Sequence, residues 1–516
     1  MKSFIARHAE KITGVLSGFD RLVLRGTLRP VAYVGGFRSF LMRRGVLLKD
    51  FGEFVRRSSA RLKLASLNLA DIAGRPQIYL PSARTSKEGI ARKVLAENPV
   101  ETGLICILST VEPCTTFEIH RNRGTKKLEI QKKFGKCMHL YHYFIDPRFG
   151  FCSARIQTWF PFSIQVCVNG REWLAGQMRR MELEHVRREN CFPWIESVSR
   201  AQKLMDEQLT ICWPETLDRI ADAVFPSRCE ILGDPTLDYY WSVHQSEWAT
   251  DVMFETSQDL AAIYPALVNY GITHFSSPDV MRFLGKKVPN AFRGEIVSDF
   301  KDRPEGVRVK HRVRHNSIKV YDKQGSILRV ETTINDPCQF KVYRTKQGDE
   351  DGAMSWQPMR KGIADLHRRT KVSHAANERY LDALAAADTS TPLGQLLAQI
   401  GKPARLGNQR MRPLRPLDPK DLALLQAVNR GEFTVNGFQN RDIAQDLFGD
   451  PPRDTKAKRA RSARTTRLLR LLRAHGLIKK IPHTHRYQVT NRGRSIIGAL
   501  LSVRQVPVNQ LHTSAA

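Results

Sequence analysis

A chain of 516 residues with 41% hydrophobic and 8% aromatic content is globular rather than disordered, and it is too long for one hydrophobic core. Its formal charge of +31 at pH 7 opposes compaction by self-repulsion, so a polyanion is the natural partner. The nine cysteines contain no C-x-x-C pair, which argues against a zinc site and reads as free thiols of a reducing cytoplasm.

The N-terminus lacks the apolar core of a signal peptide. No apolar run approaches the ~20 residues that span a bilayer. The expectation is a soluble, cytoplasmic, nucleoid-associated protein without a membrane partner. The charge is uneven: residues 401–516 hold 23 Lys plus Arg against 7 Asp plus Glu, and the rest of the excess is spread over the body.

In chain order, Phe4 to Leu16 reads as a helix, and RLVLRGTLRP from Arg21 as a strand with Asp20 just before it. Gly35-Gly36 turn into a long amphipathic helix, and Ser86 caps a short one. TGLICILSTVEP reads as a buried strand. Five strand candidates follow over residues 115–170: TFEIHRN, KLEIQKKF, KCMHLYHYFID, FGFCSARIQTWF and PFSIQVCVNG. Asn122-Arg123-Gly124, Asp146-Pro147-Arg148-Phe149-Gly150 and Asn169-Gly170 supply turn chemistry, so antiparallel pairing is expected. Tyr141, Tyr143 and His139 share a face there and read as an exposed stacking platform between cations. Residues 195–290 read as mostly helical, and 305–335 returns to strand.

The predicted fold class is α+β and multidomain: an antiparallel β-sheet body with flanking helices and a C-terminal winged helix-turn-helix domain. The expected divisions are an α/β segment over 1–100, a sheet body over 101–345 with a helical insertion at about 195–290, a helical extension over 346–400, a basic linker over 401–418 and the terminal domain over 419–505.

In VRVKHRVRHNSIKVYDKQGSILRVETTIN, three strands divide at His315-Asn316 and at Asp322 to Gly325. Alternation sends Val307, Val309, Ile318, Val320, Leu328, Val330 and Ile334 to the core. Arg308, Lys310, Arg312, Lys319, Tyr321, Arg329, Glu331 and Thr333 share the other face. A tyrosine can attack a phosphodiester when cations stabilise the transition state and a carboxylate holds a metal. The words IKVYDK and LRVE resemble a strand pair of rolling-circle replication initiators. That resemblance implies Tyr321 as nucleophile, Glu331 as metal ligand or base, and Lys319 and Arg329 as supporting cations. The paired histidines of those enzymes are missing: His139 and His142 fall on opposite faces of a strand, and His311 and His315 flank a break. The further acids beside strands, Asp20, Asp146 and Asp251, are metal-ligand candidates with Glu331, and the metal implied is Mg2+ or Mn2+. Asp146 at an Asp-Pro turn also has a purely structural reading, as does Asp251 as a helix cap.

Residues 456–494, KAKRARSARTTRLLRLLRAHGLIKKIPHTHRYQVTNRGR, read as a basic helix, a two-stranded hairpin and a closing helix capped by Asn491. Leu468, Leu469, Leu471 and Leu472 make the apolar face. RLLRLLRAHGLIKKI followed by THRYQVTNRGR resembles the winged helix-turn-helix of bacterial DNA-binding proteins. The resemblance implies groove and phosphate contacts by Lys458, Arg461, Arg464 and Arg467, and wing contacts by Lys479, Lys480, His485 and Arg486. Arg308, Lys310 and Arg312 add phosphate contacts from the body. The reading is a nucleic-acid-binding protein, a DNA-processing protein of a mobile element with replication-initiator or transposase character. Its alternatives are a non-catalytic winged-helix regulator and an RNA-binding effector subunit.

Overall fold

The computed structural model describes residues 1–501 except 235, 274, 276, 286–295, 304–305, 347, 350, 386–392, 431–432, 434–436, 482–483, 491, 494–495 and 499. The body is built on one 11-stranded sheet flanked by helices. In chain order its strands are β1 (Ile12–Thr27), β2 (Gln77–Tyr79), β3 (Gly103–Arg121), β4 (Leu128–Asp146), β5 (Gly150–Gln157), β6 (Ile164–Asn169), β9 (Tyr240–Phe254), β10 (Ile296–Arg303), β11 (Gly306–Val313), β12 (Asn316–Lys323) and β13 (Ile327–Ile334). The intervening β7 (His185–Arg188) and β8 (Cys191–Ile195) form a separate hairpin.

The spatial order is β10-β11-β12-β13-β9-β1-β6-β5-β4-β3-β2, antiparallel throughout except between β2 and β3. Apart from β2, this order is palindromic about the β9–β1 pair. Each half begins with a long strand, passes through helices, and returns as a four-strand meander whose last strand pairs with the first. The first half carries α1 (Lys2–Arg7), α2 (Val34–Arg43), α3 (Phe51–Ile72) and α4 (Lys87–Glu97) and is followed by α5 (Gly170–Arg180), α6 (Val198–Asp206), α7 (Trp213–Val224) and α8 (Arg228–Leu232). The second carries α9 (Ser257–Thr273) and α10 (Ser277–Phe283) and is followed by α11 (Leu366–Leu384).

One face of the sheet is apolar. Leu22, Leu24, Ile164, Val166, Ala154 and Ile156 join the first-half core, and Val309, Ile318, Val320, Leu328, Val330 and Ile334 join the second. The alternation expected in 307–335 therefore holds for those six; the side chain of Val307 lies outside the described residues. Helix α11 clamps the centre from the apolar side. Asn377 Nδ2 donates to the carbonyls of Trp248 and Val330, and the buried Arg369 donates to those of Val243 and Ile334.

Several elements differ from expectation. The strand at the N-terminus starts at Ile12, so the helix expected to Leu16 ends at Arg7. The reason is packing: Gly14 and Gly18 leave room on β1 for Val198 and Met205 of α6, against which a Cβ would collide. Asp20 consequently lies inside β1. The five short strands of the β region are four, because β3 and β4 each run unbroken for 19 residues. The boundary drawn at residue 100 crosses the sheet, since β1 sits between β6 and β9. The stretch read as a helical insertion contains β9, a central strand.

Beyond the sheet come a hairpin, β14 (Lys341–Arg344) with β15 (Ser355–Pro358), and α12 (Leu393–Ile400). Residues 401–418, expected as a basic linker, form the hairpin β16 (Ala404–Leu406) and β17 (Gln409–Met411) and bury Leu414 in the C-terminal core. Arg412 pairs with the buried Asp421 and offers its carbonyl to His475, which explains the ordering of so polar a segment. The C-terminal unit then runs α13 (Pro419–Val428), β18 (Phe438–Gln439), α14 (Asn440–Phe448), α15 (Thr455–Ala474), β19 (Ile478–Lys480) and β20 (Arg486–Val489), with a three-stranded sheet in the order β18-β20-β19. Leu469, Leu471 and Leu472 are buried as expected, and Leu468 packs at the edge. The closing segment is capped by Thr490, whose Oγ1 accepts from Gly493 N–H; Asn491 lies outside the described residues. Among the described residues no helix is long and apolar enough to cross a membrane.

Candidate metal centre

The polar face of the sheet carries the chemistry. Along β13, Arg329, Glu331 and Thr333 alternate onto it; on β12, Lys319 lies opposite Glu331 and Tyr321 opposite Arg329. On β9, Glu247, Ala249 and Asp251 point the same way, with Ala249 opposite Glu331 and Glu247 opposite Thr333. On β1 the pairing with β9 shifts between Phe19 and Arg21, and this irregularity places Asp20 beside Glu247.

Three carboxylates meet there. One oxygen each of Asp20, Glu247 and Glu331 lies within 4.8 Å of the others. Asp20 is 5% exposed and Glu331 1% exposed, and Glu247 is half-buried at the cleft, so this is not a fully solvated acidic patch. Each acid is oriented by its surroundings. Asn190, in the β7–β8 turn, donates through Nδ2 to both oxygens of Asp20 at 2.9 Å. Lys319 Nζ lies 2.8 Å from Glu331 Oε1, the Tyr321 hydroxyl donates to Glu331 Oε2 at 3.1 Å, and Gln245 donates to Glu247 Oε1 at 2.8 Å.

Behind the triad lies a buried ion-pair network. Arg329 donates to both oxygens of Asp251 at 2.6 and 2.8 Å, to Asp20 Oδ2 at 3.3 Å and to the Asn190 carbonyl at 2.7 Å. Arg171 of α5 lies 3.1 Å from Asp251 Oδ2, an oxygen it shares with Arg329. Burial pushes the Asp251 carboxyl up, but Arg329 and Arg171 outweigh it and hold the pKa below the usual carboxylate range. Glu247 behaves oppositely: burial, then the nearby charge of Glu331, pushes it up to about 7. Glu247 is thus the acid that its surroundings leave least compensated, although Lys319 and Arg21 offset part of the effect. A divalent cation would favour its ionised form, and an all-oxygen donor set suits Mg2+ or Mn2+.

Asp20 and Glu247 open onto a cleft of about 720 Å³. Arg21, Lys87, Arg92 and Arg187 stand on its walls with Tyr141 and Tyr143, while Glu88, Glu172 and Glu189 offset part of that charge. The β7–β8 hairpin roofs one side, tied down by Lys323 to Glu189 at 2.6 Å. The glycine at the N-terminus of α5 sets how closely that helix approaches the triad. A Cβ on Gly170 would strike the Phe19 carbonyl, one residue before Asp20. Gly170→Ala is expected to cost about 1–3 kcal/mol of stability in urea unfolding and to lower metal affinity with it, by displacing the β1 irregularity. Unchanged unfolding and metal binding would show that the approach is not tight.

The sequence candidates distribute unevenly over this geometry. Asp20 and Glu331 converge as the metal reading required, and Glu247 joins them, a residue that reading missed. Asp251 is adjacent but occupied by two guanidiniums, and it sits in a strand instead of capping a helix. Asp146 does not converge: it accepts from the backbone N–H groups of Arg148 and Phe149 and pairs with Arg219 at 2.7 Å, the structural role of an Asp-Pro turn. Tyr321 is not among the walls of the cleft, and burial and then the charge of Glu331 push its phenol well above the usual range. Lys319 and Arg329 are salt-bridged to the acids. Arg308, Lys310 and Arg312 continue the same face, with Lys310 opposite Lys319 and Arg312 paired to Asp299.

The stacking platform is corrected. His139 and Tyr143 are buried, Tyr143 in a cluster with Ala91 of α4, and the Tyr141 hydroxyl donates to Glu112. In the C-terminal unit, Lys458, Arg464, Arg467, Lys479, Lys480 and His485 are exposed and Arg486 is half-buried; His483 lies outside the described residues. Arg461 differs from expectation. Its guanidinium donates to the carbonyls of Ala444, Gly449 and Asp450, satisfying the C-terminal end of α14. Arg464 stacks on Phe448 with 4.8 Å to the ring centroid.

No family model matches the chain, and no curated protein or solved structure matches it either.

Proposed function

We propose that the protein is a metal-dependent enzyme that cleaves or transfers nucleic-acid strands at Asp20, Glu247 and Glu331. The observation that carries the reading is the convergence of these three carboxylates from strands far apart in sequence, two of which, Asp20 and Glu247, open onto a cleft whose walls carry Arg21, Lys87, Arg92 and Arg187. The chain's charge of +31 supports a polyanionic substrate. A bound Mg2+ or Mn2+ would supply Lewis-acid stabilisation of the phosphoryl oxygens. The chain's own residues do the rest. Asn190 and Lys319 orient the carboxylates, Arg21 and Lys87 draw the phosphate backbone into the cleft, and Arg329 holds Asp20 in place.

Tyr321 fits a positioning role, donating to Glu331, better than that of a covalent nucleophile. The test is nicking of supercoiled plasmid with magnesium or manganese by the wild type and by Asp20→Asn, Glu331→Gln and Tyr321→Phe. The acid variants are expected to lose activity. Tyr321→Phe is expected to keep most of it, with no protein–DNA adduct in the wild type. A trapped adduct would restore the tyrosine mechanism, and absence of any metal-dependent nicking would favour a non-catalytic DNA-binding regulator.

Targeting is assigned to the C-terminal unit. Among the described residues its order of helix, strand, two helices and two strands, with a basic α15, supports the winged-helix reading. Arg467→Ala is expected to weaken duplex binding and reduce the slope of log affinity against log salt by about 0.9, with unchanged melting. Arg461→Ala should instead lower the melting temperature, because it strips three carbonyls of their donor. Equal effects of the two on melting would refute this division of labour.

A further inference from the structure

The polar face that carries the triad does not stop at the cleft. On β1, β6, β5 and β4, the row Arg25, Gln165, Arg155 and Tyr141 lies in register. These residues are next along the same strands from the cleft residues Cys167, Ser153 and Tyr143, two positions or about 7 Å away. There a second cavity of about 190 Å³ is lined by Arg25, Arg155, Gln157, Gln165 and Phe134 among others. It is below the ~300–1,000 Å³ of small-molecule sites, so it suits one group of a larger ligand.

Its two guanidiniums have one carboxylate partner between them among the described residues, and Lys87 shares it. Arg155 shares Glu112 with Lys87 and accepts no other carboxylate among the described residues; its Nε is buried without a partner. Arg25, two strands over on β1, has no ion-pair or side-chain hydrogen-bond partner among the described residues, and burial and then the charge of Arg155 lower its pKa. His139 at the cavity adds no charge, since burial and then Arg155 bring it down to about 4. Two neighbouring cations around a small cavity are an incomplete arrangement that an anion completes. At the rim, Phe134 is 77% exposed, the highest among the large aromatic side chains described as exposed, and it projects from the sheet beside the arginines.

We propose that Arg25 and Arg155 bind a backbone phosphate of a single-stranded nucleic acid and that Phe134 stacks on one of its bases. The subsite rests on the proposed function, because it lies on the track that leads from the triad across β6, β5 and β4. Along β1, Arg21 at the cleft and Arg25 at the subsite are about 13 Å apart, so one strand spans both. A duplex is too wide to set a base on Phe134 and a phosphate in so small a cavity.

The experiment uses the full chain in EDTA, where no cleavage occurs, with labelled oligothymidylate and a duplex of equal length as probes. Arg25→Gln and Phe134→Ala both alter exposed side chains and leave the core intact. Phe134→Ala is expected to weaken oligothymidylate binding about fivefold or more. Arg25→Gln should weaken it and reduce the salt slope by about 0.7. Duplex binding should be unchanged in both. Wild-type oligothymidylate affinity in both variants overturns the subsite even where metal-dependent nicking persists, and an equal loss on duplex does the same. Loss on oligothymidylate alone, in a protein that never nicks, leaves the subsite standing and removes only the catalytic reading.

Discussion

Glu247→Gln is expected to abolish metal-dependent strand cleavage while stabilising the metal-free protein at pH 8. The activity loss, on the order of a hundred- to a thousandfold, follows from losing one of three hard oxygen ligands at a site whose remaining charges cannot hold the cation alone. The gain in stability comes from the same electrostatics. Glu247 has a pKa of about 7 in the fold, pushed up by burial and by Glu331, against about 4.3 in an unfolded chain. Between those values the folded state holds a proton that the unfolded state has released. Stability therefore falls as pH rises from ~4.3 to 7, by about 2–4 kcal/mol in total, and stays low above 7. Glutamine removes this penalty. Added magnesium should achieve the same in the wild type by favouring the ionised carboxylate, and do nothing for the variant. The measurement is a melting temperature from pH 5 to 8.5 with and without magnesium. A wild type that is indifferent to both pH and metal in that range would sink the metal centre together with the function built on it.

How much of this site could be read from the chain depends on how local each signal is. The period-two alternation in 307–335 is a local property, so the face that carries Lys319, Tyr321, Arg329 and Glu331 is legible without a structure. Asp20 and Asp251 are recognisable as acids beside strands or helix starts. Glu247 was within reach: Glu247, Ala249 and Asp251 also alternate, but Tyr240–Phe254 lies between helical segments and its many apolar residues blur the period. Convergence itself was not legible. It requires β1 to pair with β9, more than 200 residues away, and β9 in turn with β13, and no residue near Asp20 announces its neighbour on β9. Pairing of that kind is set by the whole duplicated topology. Asp146 shows the converse, an acid whose local turn chemistry accounts for it completely. Arg461 was misjudged for a related reason. A step of three puts it in line with Arg464 and Arg467, but the carbonyls that claim it belong to the end of a different helix.

Arg329→Met is expected to destabilise the body by about 3–5 kcal/mol, a large share of the 5–15 typical of a whole domain. Arg329 is fully buried, and it is the largest positive influence on Asp251 and a direct partner of Asp20. Methionine fills a similar volume but leaves Asp251 with Arg171 alone and Asp20 with Asn190 alone. The penalty is that of an uncompensated buried charge and not the net worth of the ion pair. Two consequences separate these. Asp251→Asn made in the Arg329→Met background should cost little more, and the double variant should be more stable than the sum of the single changes predicts. The wild-type contribution should also depend on pH in a stated direction. Because Asp251 has a depressed pKa, its stabilisation is present above the unfolded value of about 3.9 and is lost as pH falls through the folded one, so Arg329→Met should flatten the acid limb of the stability curve. Urea unfolding at pH 7 and pH 3.5 reads both. Strictly additive single and double variants, with parallel acid limbs, would mean that Arg329 serves packing alone and that the triad is not held from behind by charge.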